Sequence, residues 1–207
     1  SEFNYTPFKS ASIGQVHMAR LLDGREVVVK IKRPAIYDVM KNDTDNIIDV
    51  VNFLEWVGID TGATSGQVLH ESIEYLLSES DYEKEIHNAK RMRKAFKDVK
   101  WVKIPKVYES FSTHDMIVME YVKSDKLTEI TDENVNSKKI CEALITSYVI
   151  QTMEKGLFHA DPHPGNLGFS DKGKLVFYDF GLVIDISDEL KMGFQELFKC
   201  IINRDTK

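Results

Sequence analysis

A chain of 207 residues, 43% of them hydrophobic, can bury a real core as one domain or two small lobes. Its net charge of −6 argues against a nucleic-acid partner, which would need a basic face for phosphates. No apolar run reaches the roughly 20 residues that cross a bilayer and no signal segment opens the chain, so no transmembrane segment and a soluble protein are expected.

In chain order, residues 15–22 and 25–32 read as strands joined by the hairpin signal Asp23-Gly24, with Val27, Val28 and Val29 inside the second. Pro34 stops that strand. Residues 37–58 turn helical, with Ile47, Ile48, Val51, Leu54 and Val57 at i, i+3, i+4 spacing; the stripe reads as core rather than as a membrane contact. After a loop at 62–66, a second long helix is predicted over 67–96. Its basic residues, Lys90, Arg91, Arg93, Lys94 and Lys97, with Lys100 and Lys103 beyond, read as a solvated face. Strands follow at 107–111 and 116–122, then a helix over 137–155 closed by Gly156. Strands at 167–169 and 175–178 flank a turn at 171–173, and a last helix starts near Ser187 as N-cap. Strands first and helices later give an α+β arrangement, with lobes at 1–122 and 123–207. Cys141 and Cys200 lie outside any CxxC spacing. They read as buried, reduced thiols, which fits a reducing compartment such as the cytoplasm or the matrix side of an organelle.

Four segments carry chemistry. Phosphoryl transfer needs a cation on the phosphates, ligands for magnesium and a group beside the nucleophile. Lys30, on a mostly apolar strand, supplies a positive charge suited to α and β phosphates. In the acidic segment Glu79-Ser80-Asp81-Tyr82-Glu83-Lys84-Glu85, Asp81 and Glu85 are four apart and share a helix face. The string Phe158-His159-Ala160-Asp161-Pro162-His163-Pro164-Gly165-Asn166 sets an aspartate five positions before an asparagine, as a kinase catalytic loop does. Asp161 would orient an acceptor hydroxyl or take its proton. Asn166 would give magnesium a hard oxygen. Asp179-Phe180-Gly181 follows at hairpin distance, with Asp179 as the main magnesium ligand. A metallohydrolase reading stays open on His159-x-Asp161-x-His163, although the two prolines oppose convergence of the rings and His159 reads better as a packed structural residue.

The strings Ser10-Ala11-Ser12-Ile13-Gly14-Gln15-Val16-His17, Val28-Val29-Lys30 and Lys32-Arg33-Pro34 resemble the UbiB/ADCK family of atypical kinases, which are tied to coenzyme Q biosynthesis and isoprenoid-lipid metabolism. The likeness continues through Glu79, Asp81 and Glu85, Met119-Glu120-Tyr121, the His159–Asn166 string and Asp179-Phe180-Gly181. It implies a protein-kinase-like bilobal fold, with an antiparallel sheet and helices in the N-lobe and a truncated helical C-lobe. ATP or ADP with Mg2+ would be the ligands. Ser10, Ala11, Ser12, Ile13, Gly14 and Val16 would line the nucleotide with Lys30, and Glu85 would be the lysine's helix partner. Glu79 and Asp81 would form the family's acidic pair. Met119 would guard the adenine pocket, with the hinge at Glu120 to Val122. Ser10, Ala11 and Ser12 replace most of the glycine of an ordinary phosphate loop, so a stiffer loop and weak transfer activity are expected.

The resemblance also implies an upstream Lys-x-Gly-Gln extension, which precedes the residues present, and a fuller C-lobe than the stretch from Gly181 to Lys207 provides. A lipid or quinone-precursor ligand, or a membrane surface, enters as partner. Two alternatives remain: a small-molecule kinase of the aminoglycoside or choline kinase type, and a pseudokinase that holds nucleotide without turnover.

Overall fold

The computed structural model describes residues 2–10, 13–59, 73–74, 77, 80–127 and 137–203. The first described strands are β1 (Glu2–Phe3), β2 (Lys9–Ser10), β3 (Gly14–Arg20) and β4 (Glu26–Lys32). Helices α1 (Ile36–Trp56) and α2 (Tyr82–Ala95) follow, then β5 (Val102–Lys103), β6 (Met116–Glu120) and β7 (Asp125–Lys126). Beyond α3 (Ser137–Ile150) come β8 (Leu157–His159), β9 (Leu167–Phe169), β10 (Leu175–Phe177), β11 (Val183–Asp185) and α4 (Asp188–Asn203). They fall into two compact units, residues 1–83 with 108–118, and residues 84–107 with 119–207.

The first unit is organised by the β3–β4 hairpin, paired from Gly14↔Lys32 to Arg20↔Glu26. Gly24 sits at φ 86, a conformation that glycine adopts without steric cost, and donates to the Leu21 carbonyl at 3.0 Å. Alternation then sorts the side chains. Val27 and Val29 are buried against Val118, while Val28 and Lys30 take the other face. Gly14 is required by close approach, because a Cβ there would strike the Ile31 carbonyl oxygen.

The predicted strand at 107–111 is a correction. Only Val107 pairs, as a single bridge to Met119, and Glu109–Phe111 form a 3₁₀ turn. The Ser112 hydroxyl accepts from the Val118 N–H at 2.9 Å, taking the place of a strand partner.

Helix α1 departs from the expected core stripe. Within that stripe Ile47 is 48% exposed and Val57 46%, Ile48, Val51 and Leu54 are half-buried, and only Thr44 on the helix is buried; Phe53, beside the stripe, is 59% exposed. The helix therefore carries apolar side chains that the described residues leave uncovered. The long helix expected over 67–96 is interrupted. Ser80 donates both its N–H and its hydroxyl to the Leu77 carbonyl, closing a turn, and α2 starts afresh at Tyr82. Residues 67–72 lie outside the described residues.

The second unit packs α2 and α3 on the sheet β5-β10-β9-β7, with β8 and β11 as a separate antiparallel pair. Met92, Phe96, Leu167, Leu175, Phe177 and Phe180 form its buried centre. Each such side chain contributes about 1.5–3 kcal/mol by leaving water. Helix α3 runs on through a π-helical turn, Gln151–Lys155, and stops where Gly156 adopts φ 64. Ser187 caps α4 as expected, its hydroxyl accepting from the Leu190 N–H at 3.2 Å. Cys141 and Cys200 are exposed, contrary to the buried reading; α3 and α4 turn them outward as free thiols. Among the described residues no helix is long and apolar enough to cross a membrane.

Candidate functional site

Strand register fixes what surrounds Lys30 in the first unit. Lys30 faces Val16 directly across the hairpin, Val28 faces Met18 and Lys32 faces Gly14. Directly opposed residues share a face, so Val16, Val28 and Lys30 form one continuous surface. Val28 enters the sequence reading as strand core and in the Val28-Val29-Lys30 string but not as a site residue, though the period of two from Lys30 reaches it. Ser10 ends β2 opposite Gln15, and the Ile13 carbonyl accepts from the Arg33 N–H at 2.9 Å. Ala11, Ser12 and Glu79 lie outside the described residues. Asp81 stands exposed before the first turn of α2, whereas Glu85 is buried within that helix.

The second unit assembles the aspartates. Strand β8 delivers the loop, and the 3₁₀ turn Pro164–Asn166 closes it, with the His163 Nδ1 accepting from the Gly165 N–H at 3.0 Å. Asn166 accepts from the Tyr178 N–H at 2.9 Å through its carbonyl, which ties the loop to the segment carrying Asp179. Its Nδ2 donates to Asp161 Oδ2 at 2.5 Å. That bond aims the asparagine amide and leaves its Oδ1 as the oxygen available to a cation. Asp161, Asn166 and Asp179 are all half-buried.

Asp179 is oriented by its surroundings. Its Oδ1 accepts from the Gly181 N–H at 3.0 Å, and its carbonyl accepts from His159 Nε2 at 2.7 Å. His159 is 1% exposed and stacks edge-on against Phe177 and Phe180. Because Nε2 must carry the proton, Nδ1 is the acceptor, facing the Tyr148 hydroxyl at 3.5 Å. Burial keeps the imidazole below its ordinary pKa, against the opposing pull of the Asp179 carbonyl and of the two aspartate charges. Burial also pushes the Tyr148 phenol upward, and the charge of Asp161 adds to it. Both His159 nitrogens are engaged and His163 serves its own turn, so these imidazoles do not converge on one metal. Among the described residues no cluster of three or more His, Cys, Asp or Glu could hold a metal ion alone.

Helix α2 grips the following peptide. Glu85 Oε1 accepts from the Phe180 N–H at 3.4 Å and Asn88 Nδ2 donates to the Phe180 carbonyl at 3.0 Å. Met119 is buried at the end of β6. The Glu120 carboxylate takes a hydrogen bond from Lys103 Nζ at 2.6 Å and another from the Lys106 N–H at 3.0 Å. Burial opposes its ionisation, but these bonds and the lysine charge outweigh it and hold the carboxyl below its usual range. The Glu120 N–H is spent on the Lys106 carbonyl, and the Val122 carbonyl on Ser124 Oγ at 3.0 Å. Ser124 and Tyr178 join hydroxyl to hydroxyl. Gly168 makes room for that phenol, as a Cβ there would strike it. Asn88, Ser124, Tyr148, Gln151 and Tyr178 were not legible as site residues. Asn88 alone had a signal, lying one helical turn after Glu85.

A strand lysine, a buried helix glutamate, an aspartate–asparagine loop and a following Asp-Phe-Gly on an α+β frame define a protein-kinase-like domain. The ABC1 atypical kinase-like domain family matches residues 1–207, and the chain belongs to that family. Arabidopsis thaliana protein ACTIVITY OF BC1 COMPLEX KINASE 8, chloroplastic, is 36% identical over 211 residues, covering 98% of this chain and 28% of the relative. Protein ACTIVITY OF BC1 COMPLEX KINASE 7, chloroplastic, from the same plant is 33% identical over 218 residues, covering 100% and 30%. The chain thus spans less than a third of these relatives' length. Rv3197 of Mycobacterium tuberculosis, solved with erythromycin, is 31% identical with a TM-score of 0.72, over 90% of this chain and 47% of that one. The Rio2 kinase of Chaetomium thermophilum, at 14% identity, a TM-score of 0.53, and 97% and 54% coverage, shares the fold.

Proposed function

We propose that this domain binds ATP or ADP with Mg2+ and acts as an atypical kinase or ATPase. The observation that carries the reading is the joined Asp161–Asn166 pair together with Asp179, whose carboxylate and carbonyl are each held by a named donor. An aspartate and an asparagine offer hard oxygens, which suits magnesium held partly by protein and partly by phosphates. When bound, the cation neutralises charge on the β and γ phosphates.

In this reading residues 1–122 act as N-lobe and 123–207 as the C-lobe portion. Lys30 sits on the α and β phosphates with Glu85 as its partner. Ser10, Ala11, Ser12, Ile13, Gly14 and Val16 lie along the nucleotide, and Glu79 and Asp81 form the acidic pair near it. The adenine edge meets the Glu120 carbonyl and the Val122 N–H, with Met119 behind the ring. Asp161 takes the acceptor's proton as the acceptor oxygen bonds to Pγ and the bond from Pγ to the β-phosphate oxygen breaks, releasing ADP. With water as acceptor the same step is hydrolysis. Following the family resemblance, the acceptor class is a quinone precursor or isoprenoid lipid at a membrane surface, in a reducing compartment.

Thermal unfolding with ATP or ADP, with and without Mg2+, tests this beside Asp179→Asn. Ligand at a hundredfold excess over Kd stabilises the folded state by about 2.7 kcal/mol. A magnesium-dependent shift that Asp179→Asn abolishes is the expected result. No shift with either nucleotide would refute the reading.

A further inference from the structure

Gln151 has no part in the roles above, yet it is 0% exposed and opens the π-helical turn that connects α3 to β8. Such turns insert a residue into a helix and re-aim the side chains that follow, often at functional sites. Its Oε1 accepts from the His159 N–H at 2.6 Å. Strand register explains why an acceptor is needed there. Ala160 donates to the Leu182 carbonyl and Ile186 to the Gly156 carbonyl, so the pairing of His159 with Val183 is one of the non-hydrogen-bonded positions of the ladder. The His159 N–H therefore points away from β11 into the interior, where Gln151 stands in for a missing strand.

This service leaves a residue of strain in the bonding. Gln151 Nε2 is, among the described residues, the one buried side-chain polar atom without a partner. An apolar side chain would avoid that orphan but would strand the His159 N–H instead. Glutamine exchanges one unsatisfied donor for another, so stability alone gives no reason for it. What it fixes is position. His159 precedes Asp161 by two residues, and its Nε2–H holds the Asp179 carbonyl.

We infer that Gln151 is a positioning residue for both aspartates, setting Asp161 through the β8 backbone and Asp179 through the His159 ring. The inference rests on the nucleotide and magnesium reading above. Its consequence is specific: loss of the Gln151 acceptor impairs the magnesium-linked part of nucleotide binding rather than the fold as a whole.

The test measures ADP binding to the full chain across a Mg2+ titration. Gln151→Leu is expected to raise the Mg2+ concentration at half-maximal ADP binding about tenfold, the lower end of what loss of a residue supporting metal ligands costs. Ile140→Val, a buried change elsewhere in α3, serves as the destabilised control and leaves that midpoint in place. If Gln151→Leu does not fold, Gln151→Asn, which withdraws the amide by one methylene, is expected to show the same shift. Should the unaltered chain show no magnesium-dependent ADP binding, the functional reading fails and this inference with it. If the unaltered chain responds to magnesium and the Gln151 variant keeps its midpoint, or Ile140→Val moves it equally, the positioning role alone is overturned.

Discussion

Acid should weaken this domain through His159 in a way that one substitution can isolate. The imidazole is 1% exposed and burial holds its pKa down in the fold. In the unfolded chain it titrates near the ordinary value of about 6.5. Between the folded and unfolded values the unfolded state holds one more proton, so stability is complete above about pH 6.5 and falls as pH drops below it. The proton that the unfolded imidazole takes up between pH 7.5 and 5.5 limits the loss over that span to at most about 1.4 kcal/mol.

Carboxylates titrate over a neighbouring range, so the informative quantity is a difference. His159→Gln keeps a donor at the reach of Nε2 for the Asp179 carbonyl while removing the titration. Its baseline should drop by about 1–3 kcal/mol, because the ring contacts with Phe177 and Phe180 are lost. Urea unfolding of both proteins at pH 7.5, 6.5 and 5.5 gives the comparison. The advantage of the unaltered chain is expected to shrink steadily as the pH falls across that span, by at most about 1.4 kcal/mol. A constant gap would show that His159 titrates alike in both states, and a widening gap would show the opposite shift; either result refutes the argument.

Further outcomes follow from backbone geometry and surface chemistry. Gly14→Ala should cost about 1–3 kcal/mol in chemical denaturation, since its Cβ would meet the Ile31 carbonyl in a paired strand that has little freedom to retreat; an unchanged midpoint would mean that β3 shifts freely. Ala35→Gly should raise stability by about 0.5–1 kcal/mol, because Ala35 sits at φ 56, where an L side chain clashes with its own backbone; a lower melting temperature would contradict this. Phe53→Glu should reduce self-association in light scattering while changing stability by less than about 0.5 kcal/mol, as expected for an exposed ring on α1. A large loss of stability would show the ring to be packed.

The sequence was most informative where the chain pairs with its near neighbours. The hairpin at Asp23-Gly24, the turn that Gly173 completes at φ 71, the Gly156 stop and the Ser187 cap all depend on residues a few positions apart. The Asp161–Asn166 bond is local in the same sense. Failures came where a side chain replaced a backbone partner. Ser112 took the place expected of a strand, and Ser80 broke a helix that periodicity alone would have continued. The apolar stripe of α1 shows another limit. Periodicity located the helix, but it does not say whether anything covers its apolar side chains.

The hidden part of the candidate site is its supporting shell, and its physics explains why. Phe180 gives its N–H to Glu85, its carbonyl to Asn88 and its ring to a contact with His159. Asp179 is held at the same time by His159 from below and by the Gly181 N–H within its own turn. These contacts join residues distant in the chain, so no spacing rule reaches them. They also converge on one side chain, because the His159 that meets the Asp179 carbonyl gives its own N–H to Gln151 and packs its ring on Phe177 and Phe180. A carboxylate that must meet a small cation tolerates little misplacement. The Asp-Phe-Gly string thus names the proposed ligand, while long-range contacts from α2, β8 and the π-helical turn set its direction.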